Sequence, residues 1–351
     1  MTASLSDVAK RARTSITTVS RVLSGSGHPV ASATRKRVIA AADELAFKPN
    51  ALARALAKQR TQTIGIIIGD ITDPYFAEIA RGVEDTAGPL GYLTIVCNAD
   101  RNPATELAYF RMLQEHYAAG VLFAGGIFPD LPEANALKEA TESAAASGAR
   151  IVCLADRGTK EVPVIAVDER AALYDLTEHL IRLGHSRIAF VEGPKGLSTS
   201  MLRRAGFLQA MVDAGLDSSL QFSGGFGVES GRTAVNAILT QSLPDAIIAA
   251  TDETAVGALM ALRSAGVRVP QDVSVAGVDD SRYSQIMDLT TVRIPTYDLG
   301  TLAVRYILSP DNTLLKNQTY LSHTIIQRMT TDRTLRTAKK KTNYADRLQI
   351  D

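Results

Sequence analysis

The chain has 351 residues, 46% hydrophobic and 21% charged, a balance that suits two or three globular domains rather than one. No run of 18 apolar residues is present, and "MTASLSDVAKRARTS" lacks the apolar core of a signal peptide, so the sequence predicts no membrane partner, no export and a cytoplasmic location. The net charge of +1 hides an asymmetry: residues 1–60 carry 11 Lys/Arg against 3 Asp/Glu, while the other 291 residues carry 27 against 34. A basic head of net +8 on a body of net −7 is the electrostatic footprint of polyanion binding.

In chain order, "SLSDVAKRAR" opens with Ser4 at an N-cap and Asp7 three residues on, the spacing of a capping box. Leu5, Val8, Ala9 and Ala12 then share one helical face. In "SITTVSRVL", a period of 3.6 puts Val19, Val22 and Leu23 on one side and Thr17, Ser20, Arg21 and Ser24 on the other. A third helix is signalled by Ser32 as its cap, with Val38, Ala41, Ala42 and Leu45 inward. Three short helices with a tight turn between the first two predict a helix-turn-helix. Its second helix spends its apolar side on its neighbours and offers its polar side to a groove. Arg21 suits bidentate contact with guanine, and hydroxyls serve phosphates or base edges. Ile16, at the edge of the apolar side, either touches a thymine methyl or packs.

The segments "DVAKRARTSITTVSRVLSG", "TRKRVIAAADEL" and "KPNALARALAKQRTQTIGIII" resemble the head and hinge of the lactose-repressor (LacI/GalR) family of bacterial transcription regulators. Two positions depart from the family pattern: Arg13 and Ala46 stand where Gly is usual, each replacing a residue tolerant of positive φ, so the turn is expected to be either strained or slightly rebuilt. Pro49 to Gln59 combines a cap at Asn50, Leu52 and Leu56 four apart, and flanking Arg54, Lys58 and Arg60. Such a segment is too short to hold as an isolated helix. The resemblance implies that it folds on operator DNA and wedges Leu56 into the minor groove. The candidate DNA contacts are Ser15, Ile16, Thr17, Thr18, Ser20 and Arg21 of the head and Asn50, Ala53 and Leu56 of the hinge.

From Thr63 apolar strands alternate with amphipathic helices, which implies an α/β body with parallel sheets covered on both faces. One group of strands is "TIGIIIGD", "YLTIVCNA", "GVLFAGG" and "RIVCLAD"; a second is "VIAVD", "RIAFVEG", "DAIIAAT" and "VSVAGVD". The expected domains are a head over 1–48, a hinge over 49–62, a first lobe over 63–163 with about 295–322, a second lobe over 164–294 with about 323–335, and a basic tail over 336–351. The resemblance implies a periplasmic-binding-protein-like body with an effector in the cleft between lobes. Cys97 and Cys153, each inside an apolar run, are expected as reduced thiols.

Ligands of open α/β sheets bind beyond the carboxyl ends of the strands. Polar and aromatic residues there are Tyr75, Phe76, Asp156, Arg157, Arg203, Phe226, Thr251 and Asp279. Carboxylates and guanidinium groups take vicinal hydroxyls, and aromatic faces cover a sugar ring. The family's effector positions map onto Tyr75, Phe76, Asp156, Arg203, Phe226, Thr251 and Asp279, with Thr251 departing from the usual Asn or Asp. For Asp279, followed by Asp280, capping of the next helix competes with ligand binding.

Enzyme and cofactor signatures are missing. The five histidines form no metal-ligand spacing, "GGFGVESG" is not a dinucleotide-binding fingerprint, and no Walker A loop or nucleophile elbow occurs. No catalytic residue, metal or cofactor is expected. The sequence thus predicts a transcription regulator, most naturally a repressor, acting as a homodimer on a near-palindromic operator with a sugar-like effector. It leaves open assembly into tetramers, control by a phosphoprotein partner instead of a small molecule, and, less favoured, a sugar-binding protein without DNA function.

Overall fold

The structure, a computed structural model, describes residues 3–23, 28–47, 61–309 and 318–332; Ser24, the hinge residues Asn50, Ala53 and Leu56, and the tail 336–351 lie outside them. The chain divides into two compact units, Met1–Thr61 and Gln62–Asp351.

In the first unit, α1 (Leu5–Ala12) opens with a reciprocal cap: Asp7 N–H donates to Ser4 Oγ, and Ser4 N–H donates to the Asp7 carboxylate. The helix ends at Arg13, whose φ of 51° is left-handed, and Ala46 adopts φ 46° after the third helix. Both positions that usually carry Gly therefore hold the Gly-favoured conformation with a side chain in place. In α2 (Ile16–Leu23) the preceding Ser15 accepts from Thr18 N–H at 3.1 Å. In α3 (Ser32–Glu44) the cap position belongs to Ala31, extended at ψ 135°, so Ser32 comes one residue too late to cap and is the first helical residue. Val8, Ala9, Ala12, Val19, Val22, Val38, Ala41 and Ala42 close into one buried cluster. The Arg11 Nε–H donates to Glu44 Oε2 at 2.8 Å and ties α1 to the end of α3.

The second unit runs β1 (Thr63–Ile68), α4 (Pro74–Ala87), β2 (Leu93–Asn98), α5 (Pro103–Glu115), β3 (Gly120–Phe123), α6 (Pro132–Ala146), β4 (Ile151–Cys153) and β5 (Val164–Val167). It continues through α7 (Glu169–Arg182), β6 (Ile188–Val191), α8 (Ser198–Asp213), β7 (Gln221–Phe222), α9 (Val228–Leu239), β8 (Ala246–Ala249), α10 (Asp252–Ser264) and β9 (Ser274–Asp279). The last elements are α11 (Arg282–Ile286), β10 (Thr290–Arg293), α12 (Thr296–Leu308), β11 (Gln318–Leu321) and β12 (Thr324–Ile326). Among the described residues the strands form two six-stranded sheets, ordered β11-β5-β4-β3-β1-β2 and β12-β10-β9-β8-β6-β7. Pairing is parallel except that β12 runs antiparallel to β10. Most of these strands are buried on both faces, hence their continuous Ile/Val/Ala runs.

One grouping read from the sequence is overturned. The sequence groups "VIAVD" with the second lobe, whereas β5 pairs with β4 and β11 in the first sheet. The chain passes between lobes after β5, at Asp168, because the strand continues the first sheet while α7 packs on α8 of the second lobe. Two more passages follow, from β10 to α12 and from β11 to β12. Both cysteines are free; Cys153 is buried, and burial pushes its thiol pKa up to about 12.

Candidate functional site

On α2 the polar side is outward. Ser15, Ile16, Thr17, Ser20 and Arg21 are exposed, with Ile16 50% accessible, while Thr18 is half-buried. Ser15 Oγ and Thr18 Oγ1 lie 2.8 Å apart and share a hydrogen bond, so these two hydroxyls hold the start of the helix. Val19 and Val22 point into the cluster of the head.

In the body, the carboxyl ends of both sheets face a cavity between the lobes. Tyr75, Phe76, Arg203, Phe226, Thr251 and Asp279 all line it. Local caps and pairings place most of them. Asp73 caps α4 by accepting from Tyr75 N–H at 3.0 Å, with Pro74 in the first turn, and this sets Tyr75 and Phe76 edge to face at 5.2 Å. Thr251 caps α10 by accepting from Thr254 N–H at 3.2 Å. Arg203 lies on α8, 4% exposed. Its Nε–H donates to Glu169 Oε2 at 2.7 Å, Nη1 donates to the Ala250 carbonyl, and Nη2 lies 3.6 Å from Asp279 Oδ1. Burial opposes its charge, but Glu169 and Asp279 outweigh this and raise its pKa. Asp279, at φ 118°, leaves the cap of α11 to Ser281 and presents a buried Oδ1 with no hydrogen-bond partner. Burial, with Asp252, Asp73 and Glu169 nearby, drives the Asp279 pKa well above the usual carboxylate range. Burial likewise raises the phenol of Tyr75.

Asp156 is corrected. It is exposed, and its Oδ1 accepts from Gly158 N–H at 2.8 Å, so it turns the loop after β4 and does not line the cavity. The neighbouring Arg157 turns inward instead, pairing with Glu106 at 2.6 Å and lying 5.0 Å over the Phe123 ring. Glu106 itself lines the cavity.

Four charged lining residues escaped the sequence reading as site residues: Asp73, Arg101, Glu106 and Glu169. Arg101 donates to Asp73 Oδ2 at 3.0 Å and lies 5.5 Å over Phe76 and 5.3 Å over Phe226, spanning the two lobes. Arg101 follows the carboxyl end of β2 and Glu169 that of β5, so the strand-end rule applied to every strand finds both. A second link between lobes joins Ile127 and Ser198, whose backbone N–H donates to the Ile127 carbonyl at 2.9 Å and whose hydroxyl accepts from Ile127 N–H at 3.1 Å.

Comparison with known proteins places both units. Residues 4–50 match the model of the bacterial regulatory proteins of the lacI family, and residues 61–304 match that of the periplasmic binding proteins and sugar binding domain of the LacI family. The HTH-type transcriptional regulator DegA of Bacillus subtilis is 34% identical over 86% of this chain and 89% of its own. The catabolite control protein A of Priestia megaterium is 34% identical over 88% and 92% respectively. The crystal structure of the lac repressor dimer bound to operator and the anti-inducer ONPF superposes with a TM-score of 0.82 at 27% identity, covering 94% of this chain and 99% of that one. No helix among the described residues is long and apolar enough to cross a membrane. A head that packs three helices and bares the polar side of the second, joined to a two-lobed body that matches across nearly its whole length, leaves one conclusion: the chain belongs to the LacI family and is a helix-turn-helix transcription regulator.

Proposed function

We propose that the chain represses transcription as a homodimer on a near-palindromic operator and that a small polyhydroxy metabolite in the interlobe cavity controls it. The observation that carries this reading is the cavity, where three aromatic rings, two guanidinium groups and an unpartnered carboxylate oxygen converge from both lobes. Rings suit the apolar face of a sugar and charged forks suit its hydroxyls. Ile16, Thr17, Ser20 and Arg21 read base edges, Ser15 and Thr18 order that helix beside the phosphates, and Asn50, Ala53 and Leu56 form a hinge in the minor groove. For the dimer, β2 ends its sheet with Leu93, Ile95 and Val96 exposed at 65%, 39% and 40%, an apolar edge that a second copy would cover. A symmetric dimer matches the symmetry of the operator, and its place of action is the cytoplasm where the operator lies.

The test couples two measurements on the full chain. An operator is selected from random DNA, and sugars are screened by thermal shift. A sugar that stabilises the protein should change operator affinity, and operator should change sugar affinity by the same factor. A sugar that fills the cavity without moving operator affinity overturns the control mechanism.

A further inference from the structure

The cavity is lined by four carboxylates, Asp73, Glu106, Glu169 and Asp279, and two guanidinium groups, Arg101 and Arg203. Each guanidinium already has a carboxylate partner. Arg203 commits Nε to Glu169 and Nη1 to the Ala250 carbonyl, and it turns Nη2 toward Asp279; the Arg203 and Glu169 side chains are 5% and 9% exposed. Arg101 commits Nη2 to Asp73 and lies 3.6 Å from Asp70 through Nη1. Glu106 is balanced by Arg157 at 2.6 Å. After this pairing the unmet demand in the cavity is that of Asp279 Oδ1, a buried acceptor without a donor. An arriving hydroxyl or ammonium would satisfy it. An arriving phosphate would meet four carboxylates and would compete with Glu169 and Asp73 for the guanidinium groups they already pair with.

We propose that Glu169 and Asp73, by occupying the two guanidinium groups, make the cavity a site for uncharged or cationic polyhydroxy ligands and close it to sugar phosphates. The proposal rests on the reading of this cavity as the effector site and names the chemical class of that effector. Glu169 and Asp73 are then specificity-determining residues: each removes an anion-binding fork from the cavity, and Glu169 does so from a buried position at the start of α7.

The experiment titrates the full chain by calorimetry with glucose, glucosamine, glucose 6-phosphate and inorganic phosphate. The same titrations are run on Glu169→Gln and Asp73→Asn. Asparagine is itself a good helix N-cap, so Asp73→Asn retains the start of α4 and folds even where Glu169→Gln does not. The expected result is a wild-type protein that binds neither phosphate probe, and variants that bind inorganic phosphate at least tenfold more tightly than wild type. Adding Arg203→Ala to Glu169→Gln should remove that gain, which separates the cavity from any phosphate site on the head. Wild-type binding of glucose 6-phosphate above that of glucose overturns the proposal, as do folded variants that gain nothing. These titrations contain no DNA. A phosphate gain in the variants, with no sugar altering operator affinity, keeps the charge selectivity and rejects control by sugar. A wild-type protein that releases operator on binding glucose 6-phosphate does the opposite.

Discussion

Arg21 stands exposed on the polar side of α2, where a guanidinium can fork onto guanine O6 and N7. Arg21→Ala should cost about 1–3 kcal/mol per half-site and relax the preference at one base pair. Binding to a set of single-base operator variants checks this; a loss uniform across the set would make Arg21 a phosphate contact. Asp252 gives a pH prediction. It is 1% exposed, accepts from Thr291 Oγ1 at 2.5 Å and Ser281 N–H at 2.7 Å, and burial pushes its pKa from 3.8 up to about 7. Between those two values the folded state holds a proton that the unfolded chain has released. Stability from this group therefore falls as pH rises from about 4 to about 7 and is level above. Thermal melts should show wild type gaining stability from pH 8 to pH 6, with a smaller gain in Asp252→Asn. At this scale sequence reading worked where spacing along one element decides the outcome. Tyr75 and Phe76 reach the cavity because a Pro in the first turn starts their helix. It failed at Asp156, where two adjacent polar residues leave a strand and only packing decides that Arg157, not Asp156, turns inward.

Helix pairs, not single helices, build the lobes, and their contact surfaces are set by glycine. A Cβ on Gly206 of α8 would lie 2.1 Å from the Arg170 carbonyl oxygen of α7, and one on Gly231 of α9 would lie 1.9 Å from that of Thr254 of α10. Both neighbours are backbone, which has no rotamer to yield. Gly206→Ala should therefore force α7 and α8 apart at a cost of about 1–3 kcal/mol, read from chemical denaturation. Because α7 carries Glu169 and α8 carries Arg203, the same change should weaken any ligand of the cavity. The strands themselves were legible from apolar runs, but their partners were not. β5 reads like its successors, and only the three-dimensional pairing with β4 and β11 assigns it to the first sheet.

The whole molecule separates a basic head from an acidic body, and the boundary falls between Thr61 and Gln62. A fragment beginning at Gln62 contains both sheets and every residue of the cavity. It should fold, bind the same sugars as the full chain by calorimetry and show no operator binding in a gel shift. Operator binding by that fragment would remove the head from its assigned role. For the full chain, log affinity should fall linearly with log salt as phosphate contacts release counterions. The charge asymmetry of the sequence announces this division. Neither lobe is continuous: the chain passes between them three times, and what the sequence hides is the place of the first passage, which the pairing of β5 with β4 and β11 puts after Val167.

The late position of β11 matters while the protein is being made. Its partner β5 begins at Val164 and β11 begins at Gln318, so 154 residues separate paired positions. At roughly 5–20 residues per second, a ribosome takes on the order of 10 s to supply the missing strand. Throughout that interval Val164, Ile165, Ala166 and Val167 present an apolar strand with one open edge, the kind of surface on which nascent chains associate. The open edge of β5 thus persists until β11 is made. A chain halted after Leu308 should accumulate in the insoluble fraction or bound to chaperones, even though almost all of both lobes has been translated.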